Sequence, residues 1–307
     1  MSTILIGGGT GLVGSRLSAI LKSQGHTVLH LSRRKNLSAP YPAYQWDINA
    51  GTIDQAAVEQ ADYIINLAGA GIADARWTKA RKQLIIDSRV KSTALLKQAV
   101  QACMTKPKAF ISASAIGYYG DRGEELLHEN AAPGNGFLAE STQAWENAVS
   151  DFAQTGIRTA ALRTGIVLST KGGALEKTLI PYMFRVGSYF GNGQQWFSWI
   201  HIDDLCQMFI HALNKDSVEG FYNAASPNPA RNKPFTKAIA QAKGIGALML
   251  PAPEFMLRIP MGEMADVVFS SVKVSSEKIE ATGFQFKYPD LVSALKDVLA
   301  VDGGDKK

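Results

Sequence analysis

Gly8-Gly9-Thr10-Gly11-Leu12-Val13-Gly14 joins a short apolar run, Ile4–Ile6, to an amphipathic stretch, Leu12–Ser23. In that stretch Leu17, Ile20 and Leu21 fall on one face, and Gly25 stops it before a second apolar run, Thr27–Leu31. A strand that turns through glycines straight into a helix, followed by another strand, is a βαβ unit, and it leaves few folds open. The first glycines permit positive φ and a tight turn. The missing side chain at Gly11 lets backbone approach a pyrophosphate, and Gly14 lets helix and strand pack closely. The helix start then presents unpaired N–H groups to the anion. Gly8, Thr10, Gly11, Leu12 and Val13 are therefore expected to hold a dinucleotide.

The second strand ends in Ser32-Arg33-Arg34. A site for NAD(H) carries Asp or Glu there, to grip the ribose 2′-hydroxyl. A hydroxyl and two guanidiniums instead suit a 2′-phosphate through charge-assisted bonds, so the expected cofactor is NADP(H).

The first half continues to alternate buried strands, at Tyr63–Leu67, Ala109–Ser112 and Thr159–Arg163, with helices at Leu84–Gln101 and Phe137–Phe152. The fold class is α/β, a Rossmann-type doubly wound parallel sheet with a smaller C-terminal substrate lobe. A helix at Asp203–Leu213 and a strand at Phe221–Ala224 return to the sheet, and from Pro227 the chain is rich in Pro and Met. The expected division is a Rossmann domain over 1–168 and 195–226, a smaller lobe over 169–194 and 227–303, and a frayed tail over 304–307.

With 307 residues, 46% of them hydrophobic, the chain can bury one large core or two. Charged residues make up 19%, too few for a disordered or coiled-coil chain. The net charge of +5 raises the question of nucleic acid, but there is no long Lys/Arg run; the densest cluster is Arg33–Lys35, with a looser group at Arg76–Lys91. No nucleic-acid partner is expected. Cys103 and Cys206 form no metal or redox motif, and no metal is expected. The N-terminus has no signal-peptide pattern, and no apolar run reaches the roughly 18–20 residues that span a bilayer. No membrane partner is expected, and a cytoplasmic location is.

With these residues in view, the chain resembles the extended short-chain dehydrogenase/reductases, the sugar-nucleotide epimerases and dehydratases. Asn66-Leu67-Ala68-Gly69 resembles the superfamily's Asn-Ala-Ala-Gly turn, and Phe110–Ser114 the strand carrying the catalytic serine. Leu162–Val167 is similar to the strand end near the nicotinamide, and Trp199–Leu205 to the helix start that follows. Ala115–Gly120, Trp145-Glu146 and the segment Leu250–Phe284 narrow the likeness to the atypical, YfcH-like "epimerase family" branch. The resemblance implies NADP(H) contacts at Leu67, Ala68, Gly69, Arg163 and Ile166. For Arg89, on the helix Leu84–Gln101, it suggests a cation reaching the cofactor's phosphates or ribose, with an ordinary surface arginine as the other reading. It also implies a small-molecule substrate and, by analogy, a homodimer.

The superfamily's chemistry uses a Tyr acidified by a Lys four residues later, beside a Ser or Thr on the same oxygen. No Tyr-x-x-x-Lys is present on the helix Phe137–Phe152: by the resemblance, Phe137 stands near the tyrosine's place and Ser141 near the lysine's. Phenylalanine donates no proton. The candidate catalytic residues are therefore Ser114 and Tyr118, with Tyr119, Glu140 and His201 as weaker substitutes. Two readings remain open: an oxidoreductase or epimerase-like enzyme with a rebuilt proton path, or a non-catalytic protein that senses NADP(H).

Overall fold

The computed structural model describes residues 1–304, so the expected tail over 304–307 lies, past Gly304, outside the described residues. Two compact units make up the chain. One comprises Met1–Ala115, Glu140–Leu162 and Cys206–Tyr222, and the other Ile116–Ala139, Arg163–Leu205 and Asn223 onward.

The central sheet is built from β1 (Thr3–Gly7), β2 (Thr27–Ser32), β3 (Ala43–Asp47), β4 (Thr52–Ile53), β5 (Tyr63–Asn66), β6 (Ala109–Ala115), β7 (Arg158–Thr164) and β8 (Gly220–Ala224). Their order across the sheet is β8-β7-β6-β5-β1-β2-β3-β4. The β1–β2, β1–β5, β2–β3 and β5–β6 pairs are parallel, and β3–β4 is antiparallel. On β1, Ile4, Leu5 and Ile6 are all buried, so both faces of the strand are covered. That is the condition a doubly wound sheet imposes on its central strands.

The helices on this sheet's connections include α1 (Leu12–Ser23), α2 (Gln55–Glu59), α3 (Lys79–Gln101) and α4 (Phe137–Ala153). One apolar cluster joins Leu5, Leu29, Ile64 and Phe110 of the strands to Leu96 and Val100 of α3 and to Val149 and Phe152 of α4. Phe110 and Phe152 stack with ring centroids 3.9 Å apart, fixing α4 to β6. Helix α3 begins five residues before the expected Leu84, because Thr78 caps it by accepting a hydrogen bond from the Arg81 N–H. Its first turn, Lys-Ala-Arg-Lys, is polar and gives no apolar period to read.

The second unit holds short two-stranded pairs instead of one sheet. Ile166–Leu168 runs parallel to Trp199–His201, and Val186–Phe190 parallel to Leu248–Ala252. Its larger apolar cluster centres on Trp199, Phe235, Ile239 and Leu295, drawn partly from the helices Asn232–Ala242 and Leu291–Gly304. A smaller cluster gathers Tyr119, Leu127, Ala225, Val272 and Val274. Among the described residues no helix is long and apolar enough to cross a membrane.

Candidate functional site

The chain runs from β1 to β2 and β3 on one side and to β5 and β6 on the other, so a topological switch lies between β1 and β5. Ligands of open parallel sheets bind outside the carboxyl ends of the strands at such a point. Gly8–Gly14 leaves the end of β1, Leu67–Gly69 the end of β5 and Ser32–Arg34 the end of β2, while Ser114 closes β6. The structure brings the sequence-selected residues of the first unit to that one edge.

The glycine loop is as tight as its sequence demands. Gly8 has φ +79, and a Cβ on it would lie 2.8 Å from the Leu67 carbonyl. The Gly11 N–H donates to the Gly8 carbonyl at 3.0 Å, closing the turn. Helix α1 starts at Leu12 with no side-chain cap and no acid in its first turn. Its positive end is thus left to the loop's surroundings, where Thr10 and Gly11 are exposed and Leu12 and Val13 half-buried.

Beneath the loop lies His30, which is buried, with its ring against Gly9. Ser18 Oγ donates to the Gly14 carbonyl at 2.7 Å and stands 2.8 Å from His30 Nε2, an arrangement that places the imidazole proton on Nε2. Burial holds His30 below the usual histidine value of 6.5. The unfolded chain therefore takes up a proton near 6.5 that the folded one refuses until the pH is lower, so stability falls as pH drops. Unfolding free energies from urea titrations are expected to decline below about pH 6.5. The decline should be shallower in His30→Gln, and not abolished, because burial lowers His201 and His211 too.

At the end of β2, Arg33 and Arg34 are exposed, and neither has an ion pair among the described residues. Ser32 Oγ accepts from the Arg34 N–H at 3.4 Å. Lys35, one residue on, is committed to Asp54 at 2.7 Å.

The turn after β5 is pinned from below. Asn66 is fully buried, its amide donating to Ser92 and Thr93 of α3 while its carbonyl accepts from the Ala68 N–H. Arg89 folds over Gly69 and donates to the carbonyls of Ala70 and Ile85 at 3.0 and 2.9 Å. Its guanidinium stands 5.0 Å from the centroid of the Trp145 ring. Desolvation, with the nearby Arg81 charge adding to it, lowers Arg89 to about 10. No carboxylate pairs with Arg89 among the described residues, and the Trp145 indole N–H has no hydrogen-bond partner there. A half-buried cation with no counter-ion beside an unused donor is an arrangement an anionic or oxygen-rich ligand would complete.

Ser114 is buried, and its Oγ donates to Glu146 Oε1 at 2.6 Å. Glu146 is the residue that sequence reading passed over except as part of Trp145-Glu146. Its signal was there: α4 buries Thr142, Trp145, Val149 and Phe152, and an acid on that face must find a partner. Glu140 is exposed, while Ser141 is buried.

The remaining candidates belong to the second unit. Arg163, 2% exposed, donates to the Tyr119 hydroxyl at 2.8 Å and the Glu129 carbonyl at 3.0 Å. Its guanidinium lies over the Tyr118 ring, 3.7 Å from the centroid. Tyr119 is fully buried, donates to Asn223 Oδ1 at 2.7 Å and is pushed up to about 12 by burial, so it is a neutral phenol already engaged. The half-buried Tyr118 has no described hydrogen bond at its hydroxyl, and Ile166 is half-buried at the start of its strand. His201 stacks on Tyr288 at 3.9 Å and lies 3.2 Å from Asp297, while Asp204 accepts from the Lys287 and Tyr288 N–H groups. Those contacts tie segments of the second unit together.

Residues 4–225 match the NAD dependent epimerase/dehydratase family, and residues 252–298 match a domain of unknown function, DUF1731. The chain belongs to the NAD dependent epimerase/dehydratase family. It is 37% identical over 300 residues to the epimerase family protein YfhF of Bacillus subtilis, covering 97% of this chain and 98% of that one. Human epimerase family protein SDR39U1 (isoform 2), solved with NADPH, superposes with a TM-score of 0.86 at 30% identity, covering 97% of this chain and 99% of that one. A nucleoside-diphosphate sugar epimerase from Corynebacterium glutamicum gives a TM-score of 0.78 at 34% identity, covering 98% of this chain and 58% of that one. This family member is thus an atypical extended short-chain dehydrogenase/reductase.

Proposed function

We propose that this protein is an NADP(H)-dependent oxidoreductase or epimerase-like enzyme acting on a small-molecule substrate. One observation carries the reading: the uncapped start of α1 behind its glycine turn shares a sheet edge with Arg33 and Arg34, two exposed cations without a described counter-ion. The NADPH in the human relative supports the same choice of dinucleotide. A Cβ on Gly11 would meet only the Gly8 carbonyl, at 3.3 Å, so space there suits a pyrophosphate. Gly8, Thr10, Gly11, Leu12 and Val13 would hold that pyrophosphate, and Ser32, Arg33 and Arg34 the 2′-phosphate. Leu67, Ala68, Gly69 and Arg89 would line the middle of the dinucleotide.

When bound, the nicotinamide exchanges a hydride with a substrate carbon that bears oxygen. The chain's own share is to fix the dinucleotide and to manage the proton at that oxygen. Ser114 is the residue proposed for the second task.

Titration of the protein with NADPH and with NADH, followed by nicotinamide fluorescence, tests the cofactor. NADPH is expected to bind about 10- to 100-fold more tightly, the worth of one to two charge-assisted contacts to the extra phosphate. Equal affinities would sink the assignment. The loss of the Tyr and Lys favours a second reading, a non-catalytic NADP(H) sensor. Tight binding without oxidation of NADPH by aldehydes, ketones, quinones or sugar nucleotides would favour it over the enzyme.

A further inference from the structure

Helix α4 carries a buried acid opposite the end of β6. Glu146 and Ser114 are 4% and 3% exposed, and Phe110 and Phe152 stack between α4 and β6. A buried carboxylate costs several kcal/mol in desolvation unless it is paired and hydrogen-bonded. The fold keeps this one beside the carboxyl end of β6, the end of the sheet at which ligands of such sheets bind. The separation of 2.6 Å falls in the range of charge-assisted O–H···O bonds. It also fixes the direction of the serine proton: Ser114 Oγ gives its hydrogen to Glu146, and its lone pairs are left to accept from another hydroxyl.

We propose that Ser114 and Glu146 form a proton relay that replaces the missing Tyr and Lys. The inference rests on the oxidoreductase reading above. In oxidation, a substrate hydroxyl gives its proton to Ser114 Oγ while the original Ser114 proton moves to Glu146 Oε1. Two O–H bonds break, one on the substrate and one on Ser114, and two form, on Ser114 and on Glu146. The hydride on the same carbon would be taken up, with its electron pair, by the oxidised nicotinamide dinucleotide proposed above, and the substrate would become a carbonyl. Reduction reverses each transfer: protonated Glu146 reprotonates Ser114 as Ser114 protonates the nascent alkoxide. Ser114 is the catalytic residue, since it touches the substrate oxygen. Glu146 acts through it as a positioning residue.

The test uses the intact protein, NADPH and phenanthrenequinone as a carbonyl probe, with Ser114→Ala, Glu146→Gln, Glu146→Asp and the Ser114→Ala/Glu146→Gln double variant. Each of S114A and E146Q is expected to lower kcat/KM by about 100- to 10,000-fold, the usual worth of a positioned proton donor. The double variant should be no worse than the poorer single, E146D should recover part of the rate, and E146Q should flatten one limb of the wild-type pH profile. NADPH affinity, read by fluorescence, should stay within about twofold of wild type. In the protein without nucleotide, a slowly exchanging downfield hydroxyl proton should appear by NMR in wild type and vanish in both S114A and E146Q.

Wild-type rate and pH profile in E146Q would overturn the relay, as would losses that multiply in the double variant or absence of the downfield proton in wild type. Wild-type protein that binds NADPH and reduces no quinone overturns the relay and leaves the nucleotide assignment standing. Failure to bind NADPH at all removes both.

Discussion

Replacing Gly14 by valine is expected to abolish NADPH binding and to cost about 3 kcal/mol of folding stability, the upper part of the range for overpacking. A Cβ at Gly14 would collide with the Gly8 carbonyl and lie 2.7 Å from the Gly9 Cα. Both obstacles are backbone, so no side chain can swing aside. Relief requires α1 to slide away from the loop, and that displaces the helix start from the turn it completes. The informative control is Gly11→Ala. Its Cβ meets one protein atom, the Gly8 oxygen at 3.3 Å, so stability should change by less than about 0.5 kcal/mol while NADPH affinity still falls. Urea unfolding and fluorescence titration of the two variants separate the readings. If G11A bound NADPH as wild type does, the pyrophosphate would have to lie elsewhere than above this loop.

That contrast also marks which parts of the molecule its sequence makes readable. The turn at Gly8–Gly14 is local: every constraint on it acts within a few residues or against the neighbouring strand end, and the residue pattern states them directly. The same holds for α1, which starts at Leu12 and ends at Ser23 as its apolar spacing and Gly25 imply. The antiparallel β3–β4 pair left a fainter trace, because β3 alternates only over Tyr-Gln-Trp-Asp and β4, the edge strand, is two residues long. The two- and three-residue strand pairs of the second unit were unreadable for a related reason, since strands so short carry no period at all.

The site's polar contacts were hidden differently. Ser114 and Glu146 stand 32 positions apart, and Tyr119 and Asn223 stand 104 apart. Such pairs exist only after the chain has folded, and no local pattern announces them. Ser114 could be selected because it sits on a strand that resembles a known one. Glu146 needed the tertiary partner to become more than an acid on a helix. Arg89 lies between these cases: sequence leaves it open between a ligand contact and a surface arginine, and the fold half-buries it over Gly69, held by two carbonyls.

Exchanging both Arg33 and Arg34 for glutamate is expected to weaken NADPH binding by about 100- to 1,000-fold, or roughly 3–4 kcal/mol. The sum replaces two attractions to a dianion by two repulsions. NADH affinity should hold or rise a few-fold, since a carboxylate at this strand end can accept from a ribose 2′-hydroxyl. Folding stability should hardly move, because both side chains are exposed and have no described ion pair to lose. Lys35→Glu serves as the internal comparison. Its charge is already spent on Asp54 at 2.7 Å, so the change should disturb that surface contact and leave the preference for NADPH largely intact. Salt provides an independent check, since contacts between exposed charges are screened beyond a Debye length of about 8–10 Å at ordinary ionic strength. The wild-type preference for NADPH over NADH should therefore shrink as salt is raised, and the double variant's should not. If NADPH and NADH lost affinity equally in the double variant, the arginines would be acting on the pyrophosphate that the two dinucleotides share. Arg89, the half-buried cation without a described counter-ion, would then be the group to test against the 2′-phosphate.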